Sequence, residues 1–429
     1  MNIAADTQRF LPQQTAAARR IFFGLEKAFV VFSIIYFTNG FIVRFLLEAE
    51  LGAVLGNLNL LIYFGSIVLF AVHQRGKRLT LTVLIGVLPF VVYIFASVMW
   101  SIDAGHSLRE AIAFLGITMF ALYLTVRFRF ETILNLLTIS FALLAVGSLI
   151  LGAVAPSLGI DQRSLHRGAW LGGFTHKNEL GVSSAFGVLI FTLRARYAQT
   201  TFRSWLYWGA ASLAFALVLL STSSTSLVVS IASLTLVTLL YFLRGRRTLF
   251  VAFTLFAVVG ATIGALVLVS NLQQAADLLG KDLTLTGRTT LWSESIKDWE
   301  ERPWLGYGMD AFWIETSPEA NNMRYRLYWD IPHSHNGAID LMLDLGVVGL
   351  VMGVGLYLYL LLSSLRFFQR SRSPLAVWPL LILLFILMIN ITETNFVKQK
   401  SLYWVLIVML ANFPFVQRLQ GRIGVYFEE

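Results

Sequence analysis

Apolar runs of about twenty residues recur from one end of the chain to the other, and a run of that length matches the thickness of a bilayer better than the width of a small core. Twelve fall near 28–48, 54–73, 79–99, 108–126, 131–153, 179–194, 205–221, 225–243, 248–270, 337–364, 375–392 and 401–417. Only 13% of the 429 residues are charged, against about 25% in a soluble chain. That is too little charge to cover a water-facing surface. In lipid a helix satisfies its own backbone, so the reading is an all-α polytopic membrane protein with about twelve transmembrane helices. Ser204 to Leu243 is forty residues without a charge, and the polar stretch 221–226 supplies the turn between two helices there. The first twenty residues lack an apolar h-region, which makes the first span the expected insertion signal.

Lys and Arg alternate between the two sides of these spans. The N-terminal tail, 75–78, 127–129, 194–203, 244–247, 366–372 and 418–422 together hold 20 of the 33 cations, and the positive-inside rule makes that face cytoplasmic. Both termini then lie inside. The remaining cations concentrate in 155–178 (Arg163, Arg167, Lys177) and in 271–336, the two places where the chain breaks its own charge rule. For the shorter loop, outward cations suggest an anionic ligand. Five of the six histidines (His106, His166, His176, His333, His335) fall on that outer side.

Zero cysteines exclude disulfides, thiolate metal sites and a cysteine nucleophile. The sequence contains no phosphate loop, no dinucleotide fingerprint and no Asp-x-Asp pair, so an activated donor is expected to be lipid-borne and no cofactor is expected. The segment 271–336 is too long for a simple connector. Within it, 289–301 reads as an amphipathic helix with Trp292, Ile296 and Trp299 on one face. Arg288 precedes its first turn, where it either holds a phosphate with the free backbone N–H groups or snorkels to lipid headgroups. His333 and His335 lack a third ligand at metal-binding spacing, so no metal is expected. One of them instead accepts a proton while Asn336 orients a neighbour or a sugar hydroxyl. Asn336, Asp340 and Asp344 share one face of the tenth span, and carboxylates at membrane depth mark a functional site or pair with Arg324 or Arg326.

Gly173-Phe174-Thr175-His176-Lys177-Asn178-Glu179-Leu180-Gly181, Thr286-Gly287-Arg288-Thr289-Thr290-Leu291-Trp292, Leu305-Gly306-Tyr307-Gly308, and His333-Ser334-His335-Asn336-Gly337 with Asp344-Leu345-Gly346 resemble the O-antigen ligase and polymerase superfamily. The first two blocks are similar to its exopolysaccharide polymerase branch. The resemblance implies a GT-C type glycosyltransferase of the bacterial inner membrane, working at the periplasmic face without metal on an undecaprenyl-diphosphate-linked glycan donor and a glycan or lipid-linked acceptor. It implies Arg288, with Arg163 or Arg167, as clamps for the donor diphosphate and His335 as the catalytic residue at the acceptor hydroxyl. His176, Lys177, Asn178, His333, Asn336 and Asp344 fall in the same blocks as substrate-binding candidates. The family often carries Glu where this chain has Asp340 and Asp344, and a cation after the serines at 221–226, which is absent here.

The resulting division is 1–270 with spans one to nine, 271–336 as a large periplasmic loop or cap, and 337–429 with spans ten to twelve and a cytoplasmic tail. Membrane lipid, a chain-length regulator and a flippase are the further partners this reading suggests, and nucleic acid is not among them. A ligase that moves glycan onto lipid A core is the alternative enzyme. A lipid-linked glycan transporter or flippase is the alternative of another class, although no internal repeat is visible and the cations gather at one face rather than along a cavity.

Overall fold

The computed structural model describes residues 16–48, 50–74, 79–163, 167–243, 288–371, 373–391, 393–394, 397–398 and 401–422. The expected ninth span at 248–270, residues 271–287, His166 and the cations at 75–78 and 244–247 lie outside the described residues.

The protein is an all-α polytopic membrane protein. In chain order the helices are α1 (Ala16–Tyr36), α2 (Phe41–Glu48), α3 (Gly52–His73), α4 (Leu88–Ala96, entered through a π-turn at Val83–Val87), α5 (Ala104–Arg127), α6 (Phe130–Val154), α7 (Pro156–Gly159), α8 (Lys177–Arg196), α9 (Thr201–Leu220) and α10 (Ser224–Leu243). After the undescribed segment come α11 (Arg288–Glu301), α12 (Pro318–Leu327), α13 (Gly337–Arg370), α14 (Val377–Asn390) and α15 (Leu402–Arg422). Among the described residues, six helices are long and apolar enough to cross a membrane: α3, α5, α6, α9, α10 and α13. Shorter apolar stretches at Val83–Met99, Val377–Asn390 and Leu402–Asn412 lie alongside them. Among the described residues one isolated bridge, Ile160–Trp170, is the nearest approach to a strand.

The first expected span, 28–48, is two helices. The chain turns at Asn39, in the left-handed region (φ +56°), and at Gly40, where a Cβ would meet Leu144 and Phe174 at 3.1 Å. Helix α1 also begins earlier than the apolar run, and it does so by neutralising its own charge. Buried Glu26 takes a forked ion pair from Arg127 of α5 (Nη2 to Oε2 2.5 Å, Nε to Oε1 3.0 Å) and lies 2.7 Å from His73 Nε2 of α3. The turn expected at 221–226 is confined to 221–223, and hydroxyls at and beside it find local partners: Ser221 donates to Val218 O at 2.7 Å and Ser226 to Ser223 Oγ at 2.9 Å.

Helix α8 is the central post of the core. Almost every residue from Leu180 to Leu193 is buried, among them Gly181, Ser183, Ser184, Ala185 and Gly187, and small residues let helices approach closely where lipid offers no hydrophobic gain between them. Helices α6, α9 and α10 pack around it.

Helix α13 is broken at Gly346 (φ +64°, ψ −168°), a conformation open to glycine. The loop 303–308 repairs the break. Tyr307 N and Gly308 N donate to Leu343 O and Asp344 O at 2.8 and 2.9 Å, while Val347 N and Val348 N donate to Pro303 O and Trp304 O at 2.8 and 3.3 Å. Irregular backbone at membrane depth is tolerated where protein replaces the missing bonds. Outside the main core, Leu291, Tyr307, Phe312, Met323, Ile331 and Leu343 form a second apolar cluster that joins α11 and α12 to the first half of α13. Helix α11 departs from its expected faces. Its buried side is Leu291, Ser295 and Asp298, with Tyr307 donating to Asp298 O at 2.6 Å and Arg326 reaching the Asp298 carboxylate at 3.5 Å, whereas Ile296 is exposed.

Candidate active site

At the end of the bundle where α8 and α13 begin and α14 ends, the Glu393 carboxylate collects three donors from three distant parts of the chain. Asn178 Nδ2 donates to Oε1 at 2.9 Å, Arg288 Nη2 lies 3.3 Å from Oε1, and His335 Nδ1 lies 3.3 Å from Oε2. Burial alone would raise the Glu393 pKa, but the hydrogen bond from His335, with the charge and hydrogen bond of Arg288, holds it below the usual carboxylate range. The group is therefore an anion. With Glu393 ionised, His335 carries its ring proton on Nδ1 and leaves Nε2 as the free base.

His335 is fixed from its other sides as well. It sits at φ +55°, and its ring stacks on Trp329 with 6.0 Å between centroids and 10° between planes. Its main-chain N–H donates to His333 Nδ1 at 3.1 Å, which makes that nitrogen an acceptor and His333 a neutral ring. Burial depresses the His333 pKa well below the ordinary value, and the nearby charges of Lys398 and Arg288, with the neighbouring rings of His335 and His176, depress it further.

The turn that carries the histidines is tied down by Asp340. Asp340 Oδ1 accepts from Ser334 N at 3.0 Å and Trp313 Nε1 at 2.9 Å, and Oδ2 accepts from Thr394 Oγ1 at 2.5 Å. Trp292 Nε1 adds a bond to Ser334 O at 2.9 Å. Asp340 is thus a positioning group with its acceptors filled. The pairing considered with Arg324 or Arg326 does not form: Arg324 donates to Trp313 O and Ile331 O, and Arg326 pairs with Glu294 and Asp298.

The loop before α8 reaches the site because Arg44 of α2, itself buried, donates to Gly172 O (2.8 Å), Phe174 O (2.9 Å) and Leu158 O (2.6 Å). His176 then caps α8, its Nδ1 accepting from Asn178 N at 3.2 Å, and Glu179 closes the capping box. This aims Asn178 at Glu393.

The structure therefore brings together Arg288, His335, His333, His176 and Asn178. Lys177 is the half-buried first residue of α8, next to Asn178. Asn336 is engaged differently from expectation: its Oδ1 caps α13 by accepting from Ala338 N (3.0 Å) and Ile339 N (3.3 Å), and its Nδ2 donates to Ile391 O at 3.5 Å, so one amide N–H remains for a ligand. Arg163 is pinned by the neighbouring Asp161 at 2.6 Å on the 155–178 loop, and Arg167 is exposed on the same loop. No described contact joins either to Glu393. Asp344 is buried one turn beyond Asp340, toward the break in α13. Sequence reasoning missed Glu393, Thr394 and Lys398, whose signal is the polar interruption Thr392-Glu393-Thr394-Asn395 between two apolar runs.

One ligand atom from each of His333, His335 and Glu393 lies within 4.8 Å of the others, so the carboxylate absent from local spacing arrives from another loop. A cation there would compete with Arg288 for Glu393 and with the His335 N–H for His333. The arrangement as it stands suits an anion and a base: a guanidinium, a hydrogen-bonded imidazole and further positive groups at one mouth.

A family model described as O-antigen ligase matches residues 209–354, from α9 to α13. The chain is also 26% identical over 333 residues, 74% of each chain, to the exopolysaccharide production protein ExoQ of Rhizobium meliloti (strain 1021). Both matches support a place for the chain in the O-antigen ligase and polymerase superfamily. The matched region contains Arg288, both histidines, Asp340 and the Gly346 break, while Asn178 and Glu393 come from outside it.

Proposed function

We propose that this protein transfers a glycan from an undecaprenyl-diphosphate carrier to a sugar hydroxyl at the periplasmic face of the bacterial inner membrane, polymerising repeat units of an exopolysaccharide. The observation that carries this reading is Glu393 holding Arg288 and His335 on its two oxygens. One carboxylate sets a diphosphate-binding cation beside a general base.

The acceptor hydroxyl gives its proton to His335 Nε2 as its oxygen bonds to the sugar C1, and the C1–O bond to the carrier diphosphate breaks. The imidazolium formed is stabilised by Glu393 across Nδ1, as a buried carboxylate stabilises histidine in hydrolases. Arg288, with His176 and Lys398 nearby, meets the negative charge that grows on the leaving diphosphate. Fixed donors aimed at developing charge are worth most where water is scarce. A diphosphate also competes with Glu393 for Arg288, which couples donor binding to the freedom of the His335 pair.

Helix direction supports the side. The site lies at the starts of α8 and α13, and the opposite ends of these helices carry Arg194 and Arg196, and Arg366 and Arg370; Arg127 ends α5 on that same far side. These are the cations that the positive-inside rule assigns to the cytoplasm. A reporter fused after Arg247 is expected in the cytoplasm and a tag near Asn321 outside.

The similarity to an exopolysaccharide production protein favours a polymerase, while the description of the matched family model favours a ligase. Purified protein in nanodiscs, given lipid-linked repeat units alone, decides between them. A ladder of lengthened lipid-linked glycans supports the proposal. Transfer that requires lipid A core supports the ligase, and no transfer with either acceptor removes both.

A further inference from the structure

A second group of titratable side chains lies outside the transfer site, where the loop 306–311 crosses the start of α5. His106 and Glu110 face Asp310 there, and one ligand atom from each lies within 4.8 Å of the other two. The loop is seated firmly: Ser107 Oγ donates to Met309 O at 2.8 Å, Met309 N to Ser97 Oγ at 3.1 Å, and Ile102 N to Tyr307 O at 3.0 Å.

His106 Nε2 is 3.7 Å from Asp310 Oδ2, beyond hydrogen-bond range, and has no other partner. Two flanking side chains, each more than nine-tenths buried, also hold an unpartnered polar atom: the Tyr63 hydroxyl of α3 and Asp344 Oδ1 of α13. Tyr63 lies within electrostatic reach of Glu110, and Asp344 of Asp310. Three carboxylates thus gather with one imidazole, with Arg109 near His106 and Lys398 within electrostatic reach of Asp344. Buried polar atoms left without partners are costly, and an ion is one of the few things that satisfies several at once.

We propose that His106, Glu110 and Asp310 bind a divalent transition-metal cation of the Zn2+ or Mn2+ type, separate from the transfer site. One imidazole nitrogen with two carboxylate oxygens is a donor set these ions accept, and it leaves positions for Asp344, the Tyr63 hydroxyl or water. The His106 and Asp310 side chains are 24% and 33% exposed, which gives the ion an entry path. Its effect is mechanical. By tying 306–311 to α5, it holds the loop that repairs the α13 break and so steadies the segment carrying Asp340 and the histidine turn. This does not depend on which glycan the protein transfers.

Chelator-treated full-length protein in detergent is titrated with ZnCl2 and followed by calorimetry and by thermal unfolding. The expected result is one equivalent bound and an unfolding temperature raised by a few degrees. His106→Gln and Asp310→Asn each weaken binding at least about tenfold and cancel the rise, whereas Glu393→Gln and His335→Ala keep both. Asparagine tolerates the positive φ of residue 310, so the second variant is expected to fold. The inference is overturned if wild-type protein shows no stoichiometric binding, if both ligand variants bind as wild type does, or if binding disappears with His335→Ala and so belongs to the transfer site.

Discussion

Asn178 donates a 2.9 Å hydrogen bond to Glu393 across 215 residues of sequence, and this contact joins the first turn of α8 to the loop after α14. It leaves the same carboxylate free to meet Arg288 and His335, so the site exists only when three separate segments are docked.

Asn178→Ala is therefore expected to lower the rate about five- to tenfold, the equivalent of a net hydrogen bond of about 1 kcal/mol, without unfolding the protein. Glu393→Gln goes further, because the amide can donate to Nδ1 and invert the imidazole tautomer; a loss of at least about 100-fold is expected. Initial rates of glycan lengthening measure both. A Glu393→Gln enzyme at full rate would remove the carboxylate from the mechanism.

Arg288→Ala is expected to reduce transfer by about 100-fold or more, and Arg288→Lys to recover little of it, because a point charge does not reproduce the guanidinium fork. Comparable rates for wild type and Arg288→Ala would mean that Arg288 only positions Glu393 or snorkels.

Stability should depend on pH through His333. Its folded pKa is depressed by burial and by neighbouring positive groups, so the unfolded chain binds a proton that the native protein refuses. Stability from this group is then complete above the ordinary value of about 6.5 and is lost as pH falls below it. Unfolding temperatures measured from pH 7.5 downward should drop for wild type and drop less for His333→Gln. Parallel curves would show that His333 does not control the trend.

Much of the bundle is legible in the sequence because a bilayer demands long apolar runs, and α3, α5, α6, α9, α10 and α13 all coincide with such runs. Helix α1 is misjudged at both ends: Glu26 looks like a flank until Arg127, 101 residues away, neutralises it, and the Asn39 turn is hidden inside an apolar run. The site is legible where residues cluster locally, as at 173–181 and 333–337. Glu393 is not, since its partners stand 58, 105 and 215 residues away and a lone acid in a short loop has no periodicity. Arg163 reads from the sequence as a free cation, whereas the structure pairs it with buried Asp161.

Gly346→Ala should be among the most damaging small substitutions outside the site. A Cβ there would overlap the Trp304 carbonyl, and the residue's φ of +64° with ψ of −168° is a region essentially reserved for glycine, costing about 1–3 kcal/mol for other residues before any clash. Detergent thermal shift should show a lowered unfolding temperature or loss of folded protein. An unchanged value would mean that α13 straightens at no cost.

The central claim, that His335 beside Glu393 and Arg288 extends lipid-linked glycans, is tested most directly in cells that carry His335→Ala. The account predicts folded, membrane-inserted protein, accumulation of single lipid-linked repeat units, and loss of long extracellular polymer. Cells that still build full-length polymer on the lipid carrier, and fail only to move it onto lipid A core, would contradict it.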